Sequence, residues 1–598
     1  MLTFVTGRSG TGKTWFCTQE ILLRQKRGEK SFYIVPEQFA LNSEKELVRL
    51  SGGIMLVQAG GFKRLAYFIF GETGEQDKIL DDASKGALAK KIVLSCRDEM
   101  QYYKASSGKQ GFAEQISAQI AEFKRYCITP EILRTVLDSA DGTLKLKLAD
   151  IVTIYEKYEE FRSSRYITGD DILDVCAEKI SLSEKMSETD IFIDGYKSFV
   201  PQEYRIIEAL LLKCRNVFIT LPLGEEKGSY KFYSEPADAY ARLKEIALRL
   251  NVPVGQNIIL RKDMRHKDNA FLHLADNYFF PVEYKEKTKN IEVVSASNRA
   301  AEINQAAAVV LNLTRERGYR FSDIGIIIGD ESYAKPLKLA FAALKIPVFT
   351  DVTDTIASHP LTEYLRSLVL TAVSGMRYED VFALLKTGFS PLKPFMIDEL
   401  ENYVLAYGIR GSNWQKEFLY GFGNDEQMKQ RLNEYREIVL ALTSKFAQEA
   451  KTAKKIKEFC AALYSVLIEN NLESIITDKV EFFIRNKETA RSEEVVFVWN
   501  KIISVLDKLT EILGDEQIIL KDFLKILESA LANEKKALPP PVLDAVNVGD
   551  VRRSRFPDIK ALLVLGANEG NFPAAQTEKG LFSDIDKKKL GDVKAAVS

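Results

Sequence analysis

Apolar residues along this chain recur in two periods, and the periods alternate in blocks. Leu2 to Thr6 is a short continuous apolar run, the pattern of a buried strand. A glycine-rich stretch follows, and Trp15 to Gln25 then reads as a helix. Ser31-Phe32-Tyr33-Ile34-Val35 is a second apolar run that stops at Pro36, as a buried parallel strand would. From about Leu80 the period becomes helical: Phe112, Ile116, Ile120 and Phe123 share one face, and Ile151, Ile154, Tyr155 and Tyr158 another. Thr129-Pro130-Glu131 has the form of an N-cap, a first-position proline and an acid in the first turn. Such spacing predicts core packing, not chemistry. Strand patterns return at Asp190-Ile191-Phe192-Ile193-Asp194 and at Asn216-Val217-Phe218-Ile219-Thr220. The pattern therefore predicts a parallel sheet assembled from both sides of a helical insertion.

The second half repeats the plan. Ile291-Glu292-Val293-Val294 reads as a strand, and Arg299 to Arg317 as a helix with Ile303, Ala306, Val310 and Leu313 on one face. Ile324 to Ile328 and Pro347 to Thr350 read as further strands. From about Tyr378 to Leu531 the chain is helical again, with Trp499, Ile503, Leu506 and Leu509 as one stripe. Pro539-Pro540-Pro541 closes that block, because a proline run neither continues a helix nor pairs centrally in a sheet. Asp558 to Gly566 supplies a last strand. The fold class expected is α/β, with two parallel-sheet modules each interrupted by a mainly helical insertion. The last module stops at Ser598, so the chain reads as part of something longer.

Composition narrows the function classes. At 598 residues the chain exceeds one hydrophobic core, and its 46% hydrophobic and 28% charged content is that of an ordinary globular protein. The net charge of −1 excludes a uniformly basic surface, so any nucleic acid would have to be held in a local groove. No apolar run approaches the ~20 residues that cross a bilayer, and the first residues already form a strand, so neither a membrane partner nor a signal peptide is expected. Cys17, Cys96, Cys127, Cys176, Cys214 and Cys460 are scattered without a C-x-x-C pair. They read as reduced thiols of a cytoplasmic protein. His266, His273 and His359 add no metal-ligand spacing.

The chemistry is concentrated near the start. Gly7-Arg8-Ser9-Gly10-Thr11-Gly12-Lys13-Thr14 fits G-x-x-x-x-G-K-[ST] without a mismatch, between a strand and a helix. Loop amides and the helix N-terminus present N–H donors to phosphates. Lys13 adds a point charge to the β- and γ-phosphates, and the Thr14 hydroxyl is placed for Mg²⁺. The cofactors expected are thus ATP and Mg²⁺. The plainer alternative is a glycine-rich turn between a strand and a helix that binds nothing. Asp194, after an apolar strand, is the expected acid of the Mg²⁺ shell. Taken alone, Asp194-Gly195 would also suit a plain strand-end turn. Enzymes that hydrolyse the bound triphosphate usually carry a glutamate next, and here that residue is Gly195. Losing such a base costs about 10²–10⁴-fold in rate, so the site is expected to bind better than it cleaves. Glu203 is the candidate substitute base. Arg552, Arg553 and Arg555 precede the final strand and are candidates for nucleic-acid phosphates, with a solvated turn as the plainer alternative. Lys63-Arg64 and Lys124-Arg125 are further candidates.

The order of phosphate loop, helical insertion, Asp194 strand and second split module resembles superfamily-1 helicases. More closely, the chain resembles the B subunit of AddAB-type helicase–nucleases. The segments that carry this are Gly7 to Thr14; Ile34-Val35-Pro36-Glu37-Gln38; Glu122 to Cys127; Ile193-Asp194-Gly195-Tyr196 with Pro201-Gln202-Glu203; His359-Pro360-Leu361; Leu400 to Tyr403 with Ala406 to Ile409; and Leu565-Gly566-Ala567-Asn568-Glu569-Gly570. RexAB-type B subunits are similar but typically lack the phosphate loop, which places this chain on the AddB side.

The resemblance implies RecA-like modules at 1–70 with 186–285 (1A) and at 286–375 with 543–598 (2A), and helical insertions at 71–185 (1B) and 376–542 (2B). It implies a heterodimer with an A subunit that carries the motor, acting on double-strand DNA ends and single-stranded DNA in recombinational repair. The B subunit of that family follows one strand and reads a hotspot sequence, and its C-terminal part holds a nuclease domain with an iron–sulfur cluster. No nuclease motif or clustered cysteine is present here, so neither is assigned to these residues. The superfamily's arginine-bearing last motif is also not seen before Ser598, and Val548 to Arg555 stands where active helicases carry a Thr-x-His-x-x-Lys-Gly-type segment. Expected, then, is a subunit that binds ATP and DNA with weak or no motor activity. The alternatives are an active superfamily-1 helicase and a scaffold with a vestigial nucleotide site; a small-molecule kinase suits neither the length nor the second module.

Overall fold

The structure is a computed structural model. It describes residues 1–598 apart from 75–77, 110, 164–165, 225–232, 351–354, 421–424, 537–543, 552–553, 555, 557–558, 573–579, 584 and 590–598. Arg552, Arg553, Arg555 and the run Pro539 to Pro541 therefore lie outside the described residues.

Two parallel sheets organise the chain. The first is built from β1 (Leu2–Thr6), β2 (Lys30–Ile34), β3 (Val57–Gly60), β6 (Thr189–Ile193), β7 (Asn216–Leu221) and β8 (Ile258–Ile259), in the order β3-β2-β6-β7-β1-β8. A two-stranded ribbon, β4 (Lys78–Leu80) with β5 (Tyr166–Thr168), lies in the excursion between β3 and β6. The second sheet takes β9 (Ile324–Ile328), β10 (Val348–Thr350), β11 (Val546–Asp550) and β12 (Ala561–Leu565), in the order β10-β11-β9-β12. Each sheet thus recruits strands from both sides of a long helical segment. This is the RecA-like α/β architecture with helical insertions.

Burial explains why the apolar runs become central strands. β1 and β6 are buried at every residue, as strands covered on both faces must be. On one face Phe4, Phe32, Ile191, Ile193 and Ile219 meet Leu65 and Ile207 of the flanking helices. On the other, Tyr33, Phe192 and Phe218 meet Cys17 and Ile21 of the helix that follows the phosphate loop. The second sheet has its own core, with Ile326 and Val548 against Ile303, Val310 and Leu337.

The two helical insertions do not keep separate cores. Helix 82–95 is buried on most of its surface and packs against helix 520–533, and one hydrophobic cluster runs from Leu80–Tyr158 into Ile356–Leu531 and on to Phe582. Gly86 lets the two helices approach closely: a Cβ there would fall 2.3 Å from the Asn533 amide nitrogen and 3.2 Å from the Ser529 carbonyl oxygen. The Ser529 hydroxyl donates to the Gly86 carbonyl at 3.1 Å, and Lys91–Glu516 and Lys508–Asp81 ion pairs flank the joint. Tyr103 adds a hydrogen bond to the Leu581 carbonyl at 2.8 Å.

Two readings of the sequence need correction. Ile291 to Val294 is not a strand: among the described residues it pairs with no neighbouring strand, and Val293 is 93% exposed. Four alternating residues make a strand only when a neighbour completes the ladder, and among the described residues the second sheet is filled by β9 to β12. Lys124 is not a surface cation either. It is 7% exposed and joined to Glu159 and Asp171 at 2.8 and 2.7 Å, tying the insertion to the turn after β5.

Candidate functional site

Strand registry brings the chemistry together. β2, β6 and β7 pair as Tyr33↔Phe192, Ile34↔Ile193 and Ile193↔Ile219, so their C-terminal ends lie level beside β1. Ligands of open parallel sheets collect at this edge. The loop Gly7–Thr14 leaves β1 here and enters helix Lys13–Lys26. Gly10 and Gly12 have φ of 89° and 84°, and Gly12 is the N-cap, without a side-chain cap of its own. The first amides of the helix are thereby left to an anion.

Thr14 and Asp194, 180 residues apart, meet directly: the Thr14 hydroxyl donates to Asp194 Oδ2 at 2.7 Å. Asp194 follows β6, is 3% exposed and is anchored by its own amide on the Ile34 carbonyl at 2.9 Å. Tyr33 donates to the same Oδ2 at 2.9 Å and Thr220 to Oδ1 at 2.5 Å. Lys13 Nζ is folded onto its own loop, donating to the carbonyls of Gly7 and Arg8 at 2.7 and 2.8 Å. An ammonium held by carbonyl oxygens, a hydroxyl against a carboxylate, and a helix N-terminus form a donor set for phosphate oxygens and a hard divalent cation. The residues present fit a Mg²⁺–nucleotide.

Gly195 turns the chain at φ 88°, a conformation that costs a side-chain-bearing residue about 1–2 kcal/mol. The position where a general base would follow Asp194 is thus shaped for glycine. Glu203 sits in the first turn of helix Pro201–Lys213, and its carboxylate accepts the Val200 amide at 2.9 Å. Burial raises its pKa to about 7 against the pull of that amide and of Arg125. It caps its own helix. Arg64 pairs with Glu44 at 2.7 Å, while Lys63 and Arg125 are exposed.

Sequence reasoning missed a strap formed by residues 258–277. The Leu260 amide donates to the Thr6 carbonyl and the Met264 amide to the Gly10 carbonyl, both at 2.8 Å. Arg265 reaches the Ser9 hydroxyl at 3.3 Å, and Arg8 turns outward to the Asp276 carboxylate and the Ala275 carbonyl. Asp263 lies beneath. Burial would raise its pKa, but the His266 and Arg265 amides and the His266 ring hold it below the ordinary value. The signal was in the glycines: a Cβ at Gly7 would fall 2.4 Å from the Leu260 carbonyl, and one at Gly12 2.5 Å from Met264 Sδ. The loop is glycine-rich partly because another segment runs against it.

Among the described residues no group of His, Cys, Asp and Glu could hold a metal ion by itself, and no helix is long and apolar enough to cross a membrane. Five of the six cysteines are buried, and Cys127 is half-buried.

Residues 4–275 match the family model described as ADDB, N-terminal. The whole chain aligns at 34% identity with the B subunit of the ATP-dependent helicase/deoxyribonuclease from Geobacillus kaustophilus, covering 55% of that protein. Of the chain, 98% aligns at 35% identity with the protein of the same name from Clostridium novyi, covering 53% of it. The Alkaliphilus metalliredigens protein is 32% identical over the full chain, with 54% of its own length covered. The chain spans about half the length of the curated relatives it matches. Residues 4–275 thus belong to the AddB N-terminal family, and the rest of the chain continues the same relationship to the B subunits of ATP-dependent helicase/deoxyribonucleases.

Proposed function

We propose that this chain is the nucleotide-binding, DNA-holding part of a B subunit in a cytoplasmic AddAB-type helicase–deoxyribonuclease, in which an A subunit supplies the motor. The observation that carries the reading is the Thr14–Asp194 contact beside Lys13, followed by Gly195 in a left-handed turn that favours glycine. It supports a site that takes Mg²⁺–ATP and holds it. Lys13 would exchange two loop carbonyls for phosphate oxygens, the Thr14 hydroxyl would meet the cation, and Asp194 would orient the cation's water shell. Charge on the phosphates would be offset by the cation these residues hold. With no carboxylate after Asp194, this chain offers no base at that position to activate water, and it responds to nucleotide rather than turning it over.

The remaining parts of the proposal follow the family. The modules at 1–70 with 186–285 and at 286–375 with 543–598 form a helicase-like frame for one DNA strand near a double-strand end. Arg552, Arg553 and Arg555 remain its candidate phosphate contacts. The core shared by the helical insertions supports a static frame, because the joint would resist the module rotation a motor needs.

Strand displacement on a tailed duplex tests this reading, with the chain alone and mixed with an A-type subunit from one of the related pairs. The expected result is ATP-dependent displacement only in the mixture, largely retained when this chain carries Lys13→Ala. Displacement by the chain alone, abolished by Lys13→Ala, would overturn the proposal.

A further inference from the structure

We propose that Tyr33 and Thr220 are positioning residues that set the Mg²⁺ affinity of this site by orienting Asp194; the inference rests on the reading that the loop takes Mg²⁺–nucleotide. β6 carries two acids, at its start and just past its end, and the fold treats them differently. Asp190 is met by guanidinium groups, with Arg24 Nε at 2.8 Å and Arg215 Nε at 3.0 Å, and by the Asn216 amide at 3.0 Å. Asp194 is met by three hydroxyls instead, those of Thr14, Tyr33 and Thr220. Arginines neutralise a carboxylate and leave little for a cation. Hydroxyls fix its plane and leave its charge in place.

The three hydroxyls differ in what they can do next. Thr14 belongs to the loop, and its oxygen is the one a Mg²⁺ ion would take. With Thr14 turned to the metal, the side-chain donors left to Asp194 among the described residues would be those on β2 and β7, the strands on either side of β6. Tyr33 and Thr220 are each 1% exposed, so their hydroxyls are held without competition from water. One donates to each carboxylate oxygen, which stops rotation about the carboxylate bond and holds Oδ2 toward Thr14. A buried carboxylate deprived of one such donor can tilt away from the cation's water shell. The nucleotide's own contacts with Lys13 and the loop amides would be unaffected.

The test is a titration of a fluorescent ATP analogue against the full chain, with EDTA and over a Mg²⁺ series. Wild type, Tyr33→Phe, Thr220→Val and the conservative Thr220→Ser are compared, with folding checked by circular dichroism. A hydrogen bond to a charged group is worth about a tenfold change in an equilibrium constant. Tyr33→Phe and Thr220→Val are expected to need about tenfold more Mg²⁺ for half-maximal enhancement, with affinity in EDTA within about twofold of wild type. Thr220→Ser keeps the wild-type Mg²⁺ curve, and the Thr220 pair carries the result should Tyr33→Phe fail to fold. Unchanged Mg²⁺ curves, or an equal loss in EDTA, would overturn the inference while leaving the nucleotide site standing. A wild-type chain that binds no analogue at any Mg²⁺ concentration would overturn both.

Discussion

Replacing Gly86 by valine should loosen the joint between the helical insertions while leaving the phosphate loop untouched. Gly86 lies inside helix 82–95, where helix propensity alone favours valine over glycine by less than about 1 kcal/mol. Packing opposes this. The new Cβ would meet the Asn533 side chain, which can swing away, and also the Ser529 carbonyl at 3.2 Å, which is backbone and cannot. Overpacking of this kind costs about 1–3 kcal/mol, and separating the helices also loses the Ser529–Gly86 hydrogen bond, about 1 kcal/mol. The net expectation is a local loss of about 2–3 kcal/mol. Hydrogen exchange measures it: amides of helices 82–95 and 520–533 should exchange about thirty- to a hundredfold faster, with those of β1 and β6 unchanged. Gly71→Ala is the control. That glycine lies in helix 62–73, and a Cβ added there would have nothing within 4 Å, so alanine should stabilise its helix by about 0.5–1 kcal/mol. Unchanged exchange in both helices of the Gly86→Val protein would refute the claim that the insertions share a tightly packed core.

Other outcomes follow from buried charge. Burial raises the Glu203 carboxyl to about 7 from an ordinary 4.5, so the folded chain binds this proton more tightly than the unfolded one. Its contribution is fully present below pH 4.5 and is lost as pH rises through 7. Glu203→Gln should therefore melt higher than wild type at pH 8 and lose that advantage at pH 5; parallel curves at all pH values would contradict the assignment. Asp190 behaves in the opposite sense. Burial alone would raise its pKa, but Arg215, Arg24 and Asn216 hold it below the ordinary 3.8, so its contribution is present above that value and disappears as pH falls through the folded pKa. Asp190→Ala leaves Arg24 and Arg215 without their shared carboxylate and should cost about 3 kcal/mol in urea denaturation at pH 7, a penalty that shrinks in acid.

Much of the frame was legible because buried parallel strands are written as apolar runs. β1, β2, β6, β7 and β9 are all such runs, and the glycine pattern with Lys13 and Thr14 marks the loop between strand and helix. The acid at Asp194 was legible for the same reason, since it ends one of those runs. What the pattern does not encode is which strand lies beside which. Tyr33 and Thr220 look like ordinary core residues until the order β2-β6-β7 sets them on either side of Asp194. β3, Val-Gln-Ala-Gly, and β11, Val-Asn-Val-Gly-Asp, are too small and polar to read as strands, and they exist because neighbours complete their ladders. Ile291 to Val294 is the converse, with strand-like letters and no neighbour. Helical periodicity likewise reveals an apolar face but not what it meets, so the joint at Gly86 was invisible. Glu203 shows a third limit: an acid three residues into a helix is as well suited to capping as to catalysis, and only its contact with the Val200 amide distinguishes them.

The central claim is a site that holds a triphosphate without an attacking base. Its most direct test pairs equilibrium binding of a Mg²⁺–ATP analogue with single-turnover hydrolysis of ATP, on the wild-type chain and on Lys13→Ala. The account predicts micromolar, Mg²⁺-dependent binding that Lys13→Ala abolishes, with hydrolysis about 10²–10⁴-fold below the roughly ten per second typical of enzymes. Lys13-dependent turnover on the order of tens per second, or wild-type binding that Lys13→Ala leaves intact, would contradict it.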